Sequence, residues 1–465
     1  MSAEKLTTVE ELQAKLLDAY RKEFSNDEPT ICAFAPGRVN LIGEHSDYND
    51  CFIMSAEKLT TVEELQAKLL DAYRKEFSND EPTICAFAPG RVNLIGEHSD
   101  YNDCFVFPMA IPIGTMIIGK GLDETEGEKC YFRTLSEDIK EAKSFEIDQK
   151  EKITPLESPK WGNYVVGVLA LFLERIKPNK KRPFRALIAT SVPIGGGLSS
   201  SASIEVAMGI FLELLYKDQY ANDLQLSKVE MALLCCKAEQ DFANVPCGVM
   251  DQYTSCMGKA GHAILVDCHD NTSKLIKFDD KDTCILVTNS NVKHELLSGT
   301  FAENVQHCQD AAKLLGHKTL RDVSTMEELE EGRNKMPAAT YRRAHHVISE
   351  RIRTEAGAKF LENGDYDEFG RIMYESHESL RKYFEVSCEE LDQLVELARG
   401  VDGVYGSRMT GAGNGGCTVT LMKKDSLKKC IETIKNGYKG KASFYEFEPC
   451  DGARSIDLKK SDNNN

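Results

Sequence analysis

A glycine- and serine-rich loop joins a strand to an apolar helix, and this order restricts the fold more than any other feature. The segment FRALIATSVP at 184–193 reads as a strand, and SSASIEVAMGIFLELLY at 200–216 reads as a buried helix. The intervening IGGGLS lets backbone N–H groups approach an anion closely, and the helix N-terminus adds unpaired donors. The pattern predicts a phosphate-binding loop, with a glycine turn and a serine N-cap as the alternative.

A second glycine cluster, TGAGNGGC at 410–417, matches the spacing of a dinucleotide-binding fingerprint through Gly411, Gly413 and Gly416. That fingerprint requires a helix after the glycines, whereas residues 417–421 alternate like a strand. The Rossmann interpretation therefore fails. Two alternatives remain, namely a glycine loop packed beside the first one and a tight hairpin turn.

The motif GRVNLIGEHSDYND at 90–103 concentrates polar side chains beside an apolar strand. Carboxylates, an imidazole and an amide suit a polyhydroxylated ligand, because each sugar hydroxyl both donates and accepts; a solvated acidic loop is the alternative. Farther along, Asp251 follows a Pro-Cys-Gly turn, where its carboxylate needs a cationic partner, and Arg91 is the candidate. The polar residues of the motif are Arg91, Asn93, Glu97, His98, Asp100, Tyr101 and Asn102.

The chain carries this motif twice, because residues 1–52 recur unchanged as residues 54–105. Repeat folds of similar period need roughly three or more units to bury a continuous core, so we interpret the repeat as a recent duplication or a sequence artefact. Only the second copy continues into the strand-like residues 106–110, and a single Asp251 serves both copies. We predict that the second copy builds the site and that its counterparts in the first copy are redundant, namely Arg38, Glu44, His45 and Asp47.

Composition indicates a globular chain of two or three domains without a nucleic-acid or membrane partner. A net charge of −17 argues against nucleic acid and anionic membranes as general partners. No apolar run approaches the roughly 18 residues of a membrane helix, and the first residues lack a signal-peptide core. The 16 cysteines form no CxxC pair, and we expect them to be reduced in a cytoplasmic protein.

The motifs GRVNLIGEHSDY, VPIGGGLSSSAS and GSRMTGAGNGGC resemble, in order and separation, the three motifs of the GHMP small-molecule kinases. The first of them is close to the galactokinase signature. The resemblance implies an α+β fold of two lobes, with an N-terminal α/β lobe at 54–250 and a C-terminal α+β lobe at 251–458 flanking the active-site cleft. Residues 1–53 would be a non-functional segment, and residues 459–465 a disordered tail.

The resemblance also implies a reaction. A monomeric enzyme would use ATP and Mg²⁺ to phosphorylate the anomeric hydroxyl of galactose. Asp251 would accept or orient the hydroxyl proton, and Arg91 would counter the charge of Asp251 and of the transferred phosphoryl group. Positioning and electrostatics would carry the rate.

The remaining roles implied by the resemblance are divided among the ligands. Trp161 and Tyr164 would flank the adenine, unless they are core aromatics. Ser200 and Glu239 would serve Mg²⁺. The sugar would be bound by Glu97, His98, Asp100 and Gly248. The ATP phosphates would be held by Gly195, Gly196, Gly197, Leu198, Ser199, Ser200 and Ser201.

Three positions depart from the pattern of the family, and two other functions stay open. Ser99 stands where the signature usually has Thr, Phe301 stands near a usual tyrosine, and Asn414 replaces a usual aromatic residue. Sugar choice is therefore less determined than reaction class, and N-acetylgalactosamine is the alternative substrate. A catalytically silent sugar-and-ATP sensor is the other alternative, but Ser201-Ala202 in the phosphate loop is intact, which favours an enzyme.

The repeat yields the first prediction. We expect Arg38→Ala to keep full activity and Arg91→Ala to lose it, because only the second copy continues into the strand that would complete the lobe. Sugar-dependent ADP release by the two variants of the full chain measures the difference, and loss confined to Arg38→Ala would contradict the assignment.

Overall fold

Three β-sheets with helices packed against them make up the described part of the chain. The computed structural model describes residues 60–458, except 79, 124–127, 220–225 and 294–296. The strands are β1 (Ile84–Asn93), β2 (Phe105–Val106), β3 (Pro108–Gly121), β4 (Cys130–Thr134), β5 (Ser144–Ile147), β6 (Phe184–Thr190), β7 (His262–Asp267), β8 (Thr272–Lys277), β9 (Thr283–Lys293), β10 (Val404–Thr410), β11 (Gly415–Lys423), β12 (Ser443–Phe447) and β13 (Arg454–Ser455). The α-helices are α1 (Val62–Glu76), α2 (Gly162–Ile176), α3 (Ser200–Tyr216), α4 (Lys228–Ala238), α5 (Met250–Met257), α6 (Leu297–Leu315), α7 (Met326–Gly332), α8 (Ala338–Glu362), α9 (Tyr366–Ser379), α10 (Glu389–Arg399) and α11 (Leu427–Gly437).

The first sheet has the spatial order β13-β1-β3-β6-β4-β5 and is antiparallel except where β4 pairs with β6. Alternate residues of a strand point to opposite faces. In β1, Ala86 therefore packs against the core that contains α2 to α5, whereas Phe87 packs against α1. Helix α1 buries a stripe of Leu65, Leu69 and Tyr73 against this second face. The apolar sequence of β1 thus reflects burial on both sides of the sheet.

The second sheet is antiparallel with the order β10-β11-β9-β12, and the third has the order β2-β7-β8. The sequence predicts a closing pair of strands around 416–424 and 442–449. That pairing is wrong, because β9 lies between β11 and β12 and pairs with both. Strand β8 was not predicted from the sequence, because its segment TSKLIK is largely polar and only Ile276 is buried.

The chain crosses between the first sheet and the later elements more than once. Strand β13, near the end of the described chain, pairs with β1 through Ala86 and Ser455. Helix α5 packs into the core of the first sheet through Met250 and Tyr253. These contacts bring Asp251, in the first turn of α5, against the sheet that carries Arg91.

Two of the predicted segments lie outside the described residues. They are the first copy of the repeat, with Arg38, Glu44, His45 and Asp47, and the tail at 459–465. Every described residue belongs to one compact unit that begins at Met54. Within the described ranges, no helix has the length and apolar character needed to cross a membrane.

Helix α9 approaches strand β10 so closely that only glycine fits at position 370. A Cβ added to Gly370 would lie 2.0 Å from the carbonyl oxygen of Tyr405. We expect Gly370→Ala to lower the free energy of unfolding by about 1–3 kcal/mol, because the helix backbone must move away from the strand. Urea denaturation measures the change.

A matched glycine without close neighbours serves as the control. At Gly400 the nearest atom to an added Cβ lies 3.6 Å away, and the backbone has φ −72°. Gly400→Ala should therefore be neutral or slightly stabilising. Equal losses of stability in the two variants would contradict the close-packing account.

Candidate active site

The site is organised around an ion pair between Arg91 and Asp251. Arg91 Nε donates to Asp251 Oδ1 at 2.7 Å, and Arg91 Nη2 donates to Asp251 Oδ2 at 2.9 Å. The Arg91 side chain is only 5% exposed, and that of Asp251 is 26% exposed. Two parallel hydrogen bonds fix both the distance and the orientation of a carboxylate. The fold thus brings together the two residues that the sequence could only name as candidates.

The glycine- and serine-rich loop is attached to the same pair. Arg91 Nη1 donates to the Gly197 carbonyl oxygen at 2.7 Å, and Ser199 Oγ donates to Asp251 Oδ2 at 2.5 Å. Gly195, Gly197 and Ser199 have φ of 73°, 75° and 61°, and helix α3 begins at the next residue. The loop therefore presents a helix N-terminus beside Asp251, as phosphate binding requires. Leu198 contributes only backbone, because its side chain is fully buried.

A cavity of about 380 Å³ adjoins Asp251. Every residue assigned to the sugar lines it, and so does Glu239, which was assigned to Mg²⁺. Asn244 and Cys247, which had no assigned role, line it as well. A cavity of this kind, lined by an aromatic wall and a few convergent polar groups, is typical of small-molecule sites. The sequence-predicted residues that line it are Arg91, Glu97, His98, Asp100, Tyr101, Glu239, Gly248, Asp251 and Phe301.

Asp100 and Gly248 form one edge of this cavity. A Cβ at position 248 would lie 2.4 Å from the carboxyl group of Asp100, so glycine is required for the close approach. Burial and the nearby charge of Asp251 raise the pKa of Asp100 to about 6. Asp100 is therefore largely ionised at neutral pH but protonated in mild acid.

His98 forms a neutral, fixed wall of the cavity. Its ring stacks on Phe384 with centroids 4.4 Å apart, and its Nδ1 lies 2.8 Å from the hydroxyl oxygen of Tyr101. Burial lowers the pKa of His98 to about 3, so the imidazole is uncharged at neutral pH. One ring nitrogen can therefore donate and the other can accept.

Glu97 is held entirely within the protein. Its Oε1 accepts from the Gly411 N–H at 2.7 Å and from the Thr410 hydroxyl at 3.0 Å. Its Oε2 lies 2.9 Å from Arg408 Nη1 and also accepts from the side-chain amide of Asn93. Burial raises the pKa of Glu97, although the charges of Arg408 and Arg91 act in the opposite direction.

A second cavity, of about 340 Å³, adjoins the phosphate loop. It is lined by Trp161 and Tyr164 together with Gly195, Ser200 and Ser201. Trp161 is also a core residue, because it is 8% exposed and its indole N–H donates to the Ala142 carbonyl oxygen at 2.8 Å. The two interpretations of this aromatic pair are therefore compatible, since Trp161 packs in the core and still faces the cavity.

Ser200 and Glu239 offer oxygen ligands near the phosphate loop. Glu239 is buried and accepts from Gln252 Nε2 at 2.7 Å, and its hydrogen-bond partners in the described chain are neutral. Burial and the charge of Asp251 raise the pKa of Glu239 to about 7. A buried carboxylate without a cationic partner, beside a hydroxyl, fits Mg²⁺, which takes one or two protein oxygens and the phosphates of its nucleotide. The described residues contain no complete cluster of three or more His, Cys, Asp or Glu ligands.

The second glycine cluster, at 410–417, forms a hairpin turn and also packs beside the phosphate loop, so both alternatives from the sequence are correct. Residues 411–414 form the turn between β10 and β11, and a Cβ at Gly411 would lie 2.8 Å from the Cα of Gly197. A Cβ at Gly416 would lie 3.1 Å from the carbonyl oxygen of Gly196. The hairpin therefore packs directly on the phosphate loop.

Sequence analysis missed the buried polar network beneath the sugar cavity. Arg408 donates through Nε to Ser376 Oγ at 3.2 Å, and Ser376 donates to Glu350 Oε1 at 2.6 Å. Glu350 also accepts from the Gly96 N–H at 3.0 Å, which fixes the loop of the first motif. Burial is the largest single influence on Glu350 and acts to raise its pKa, but the charges of Arg353 and Arg408, the nearby His346 and the hydrogen bond from Ser376 together lower the pKa to about 2. The available signal was Arg408, which is the one charged residue of the segment that forms β10.

A phosphate loop and a polar cavity that meet at one Arg–Asp pair, between a mixed sheet and an antiparallel one, define a GHMP kinase. Models of the N-terminal and C-terminal domains of GHMP kinases match residues 163–259 and 358–440. A model of the galactokinase galactose-binding signature matches residues 18–57 and 71–120, so that the first segment begins in the first copy of the repeat and the second segment begins in the second copy. The chain belongs to the galactokinase family.

Individual relatives agree with this assignment. Galactokinases of Bos taurus and Homo sapiens are each 43% identical to the chain, and the alignments cover 87% of this chain and all of each relative. The crystal structure of Lactococcus lactis galactokinase complexed with galactose superposes with a TM-score of 0.76 at 29% identity, covering 84% of this chain and 99% of that one. A mevalonate kinase, at 20% identity and a TM-score of 0.53, shares the fold alone, covering 79% of this chain and 99% of that one. The predicted fold class is confirmed.

The raised pKa of Asp100 predicts a pH-dependent loss of stability. The folded protein holds this proton up to about pH 6, whereas an unfolded aspartate loses it near pH 4, so the free energy of unfolding falls as the pH rises through this window. Asp100→Asn cannot ionise and should be about 1–3 kcal/mol more stable than the wild type at pH 7.5, with the difference shrinking towards pH 4. Urea denaturation at several pH values measures it, and the exposed Asp241→Asn is the control. A constant difference across the pH range would contradict the prediction.

Proposed function

We propose that the chain transfers the γ-phosphoryl group of ATP to the anomeric hydroxyl of galactose, giving galactose 1-phosphate and ADP. The observation that carries the proposal is the contact between Asp251, at the edge of the sugar cavity, and Ser199 of the phosphate loop. An acceptor hydroxyl beside Asp251 would face a phosphoryl group held by the loop. The galactose bound to the Lactococcus lactis enzyme supports the identity of the sugar.

In this mechanism Asp251 accepts or orients the proton of the attacking hydroxyl. Arg91 balances the charge of Asp251 and, through its position beside the Gly197 carbonyl, lies close enough to counter charge that develops on the transferred group. The backbone N–H groups of residues 195–201 and the start of α3 hold the phosphates. Phosphoryl transfer needs little covalent chemistry from the protein, so this positioning accounts for the acceleration.

The other ligand contacts follow from the two cavities. His98, Asp100 and the backbone at Gly248 bind the sugar hydroxyls, while Glu97 lines the same cavity. Trp161 and Tyr164 receive the adenine in the second cavity. Ser200 and Glu239 would hold Mg²⁺, which when bound neutralises phosphate charge. All these residues come from one chain, so the site needs no second subunit, and we propose a monomer. We also propose that the protein acts in the cytoplasm.

The assembled Arg91–Asp251 pair favours an enzyme over a silent sensor, because a sensor has no need for a carboxylate held beside the phosphate loop. Phe301 bears on the choice of sugar. It lines the sugar cavity, its ring lies 5.4 Å from that of Tyr101, and it offers no hydroxyl to a ligand. The net loss of one hydrogen bond is about 0.5–1.5 kcal/mol, which lowers affinity without changing the reaction.

The proposal is tested by ADP release with ATP and Mg²⁺ in the presence of galactose, N-acetylgalactosamine or no sugar. We expect turnover with galactose, from the full chain and from a chain that begins at Met54. Asp251→Asn should lower kcat by about 10²-fold or more while the protein stays folded. Asp241→Asn is the matched control, because that carboxylate is exposed and pairs with Lys237 at the surface.

The outcomes separate the candidate functions. Turnover only with N-acetylgalactosamine would replace the substrate and keep the mechanism. Sugar binding without turnover in the wild type would favour the sensor. Turnover confined to the shorter chain would mean that the first copy of the repeat obstructs folding or the cleft.

A further inference from the structure

The side chain of Arg408 is the largest among the fully buried side chains of the described residues, and its position in β10 places it beneath the sugar cavity. Its Nη1 lies 2.9 Å from Glu97 Oε2 and donates to the Asn93 carbonyl oxygen at 3.2 Å. Its Nη2 is buried without a hydrogen-bond partner in the described chain. Burying a guanidinium at the cost of an unsatisfied donor is unfavourable for stability, so a stabilising role alone does not account for it.

The Glu97 carboxyl group that Arg408 holds has little capacity left for a ligand. A carboxylate oxygen accepts about two hydrogen bonds. Oε1 already has the Gly411 N–H and the Thr410 hydroxyl, and Oε2 already has Arg408 and Asn93. Glu97 therefore acts mainly as a clamp between the loop of the first motif and the hairpin that begins at Thr410.

The β10–β11 hairpin that Glu97 holds also packs against the phosphate loop. The carbonyl oxygen of Thr410 would lie 2.9 Å from a Cβ at Gly197, and Gly411 packs against the same glycine. On its other side, the hairpin lines the sugar cavity through Gly411 and Ala412. A sugar in the cavity and a nucleotide on the loop would therefore press on opposite sides of one short segment.

We propose that Arg408 is a positioning residue which, through Glu97 and the Thr410–Gly411 backbone, couples the sugar cavity to the phosphate loop. Galactose and nucleotide then each bind more tightly when the other is present, and the two couplings are equal by thermodynamic linkage. The inference rests on the proposed function for the identity of the two ligands. It adds a link between the sugar cavity, which the hairpin lines, and the phosphate loop, against which the hairpin packs.

The test compares two threonines of the same hairpin. Thr410 contacts Glu97, whereas the Thr420 hydroxyl oxygen on β11 lies 2.8 Å from the Ser407 hydroxyl oxygen and, within the described part of the chain, has no hydrogen bond to the clamp. Both are about 1% exposed, so Thr410→Val and Thr420→Val each remove one buried hydroxyl from one sheet. Thr410→Ser restores the hydroxyl. Arg408→Lys keeps the charge but loses the fork that reaches both Glu97 and Ser376.

Isothermal titration calorimetry of the full chain measures galactose affinity with and without adenylyl imidodiphosphate and Mg²⁺. We expect the nucleotide to tighten galactose binding by about fivefold or more in the wild type. The ratio should fall at least threefold in Thr410→Val and Arg408→Lys, recover in Thr410→Ser, and stay unchanged in Thr420→Val. In Thr410→Val and Arg408→Lys, kcat should fall by a larger factor than KM changes. Both ligands still bind in these variants, but they are misplaced relative to each other.

Three results would overturn the inference. They are a wild type without coupling, equal loss of coupling in Thr410→Val and Thr420→Val, and full coupling in Thr410→Val. Because the titrations need no turnover, a wild type that couples the two ligands without releasing ADP would refute the kinase and leave this inference standing. If Arg408→Lys does not fold, the threonine variants alone decide the matter.

Discussion

The bidentate pair between Arg91 and Asp251 is the contact on which the arrangement of the site depends. It fastens the first turn of α5 to strand β1, and the hydrogen bonds to Gly197 and Ser199 extend it to the phosphate loop. The pair is largely buried, and removing one partner of such a pair leaves an uncompensated charge at a cost of roughly 3–5 kcal/mol. The same ion pair therefore stabilises the fold and sets the geometry of the site, so a change in one would change the other.

Around this pair the site holds more acidic than basic groups. Burial is the main reason that the pKa values of Asp100 and Glu239 are raised, and the charge of Asp251 adds to it. Such a site disfavours an anionic sugar and accepts a neutral one. It also favours a nucleotide that arrives with a cation, because the metal would relieve the repulsion between Glu239 and the phosphates. The charges of the protein's own residues thus match the two ligands of the proposed reaction.

Local patterns predicted well wherever a structure is fixed by neighbours in sequence. Helix α3 occupies the predicted residues, because an apolar run after glycines and serines has few alternatives. The strand pairing of β11 and β12 was wrong, since sequence order cannot show that β9, more than a hundred residues earlier, inserts between them. The clamp formed by Glu97 and Arg408 was missed for the same reason. Its two members are remote in sequence, and the local sequence around one gives no indication of the other.

The sequence by itself determined the chemical groups and the class of the protein, because the phosphate loop and the polar motif are short segments whose glycines, serines and carboxylates act through local geometry. It also indicated which copy of the repeat continues into a strand. Tertiary structure alone decided which groups meet. Only packing brings Asp251 to Arg91 across 160 residues and sets the hairpin against the phosphate loop, because the burial that pairs these charges is a property of the whole fold.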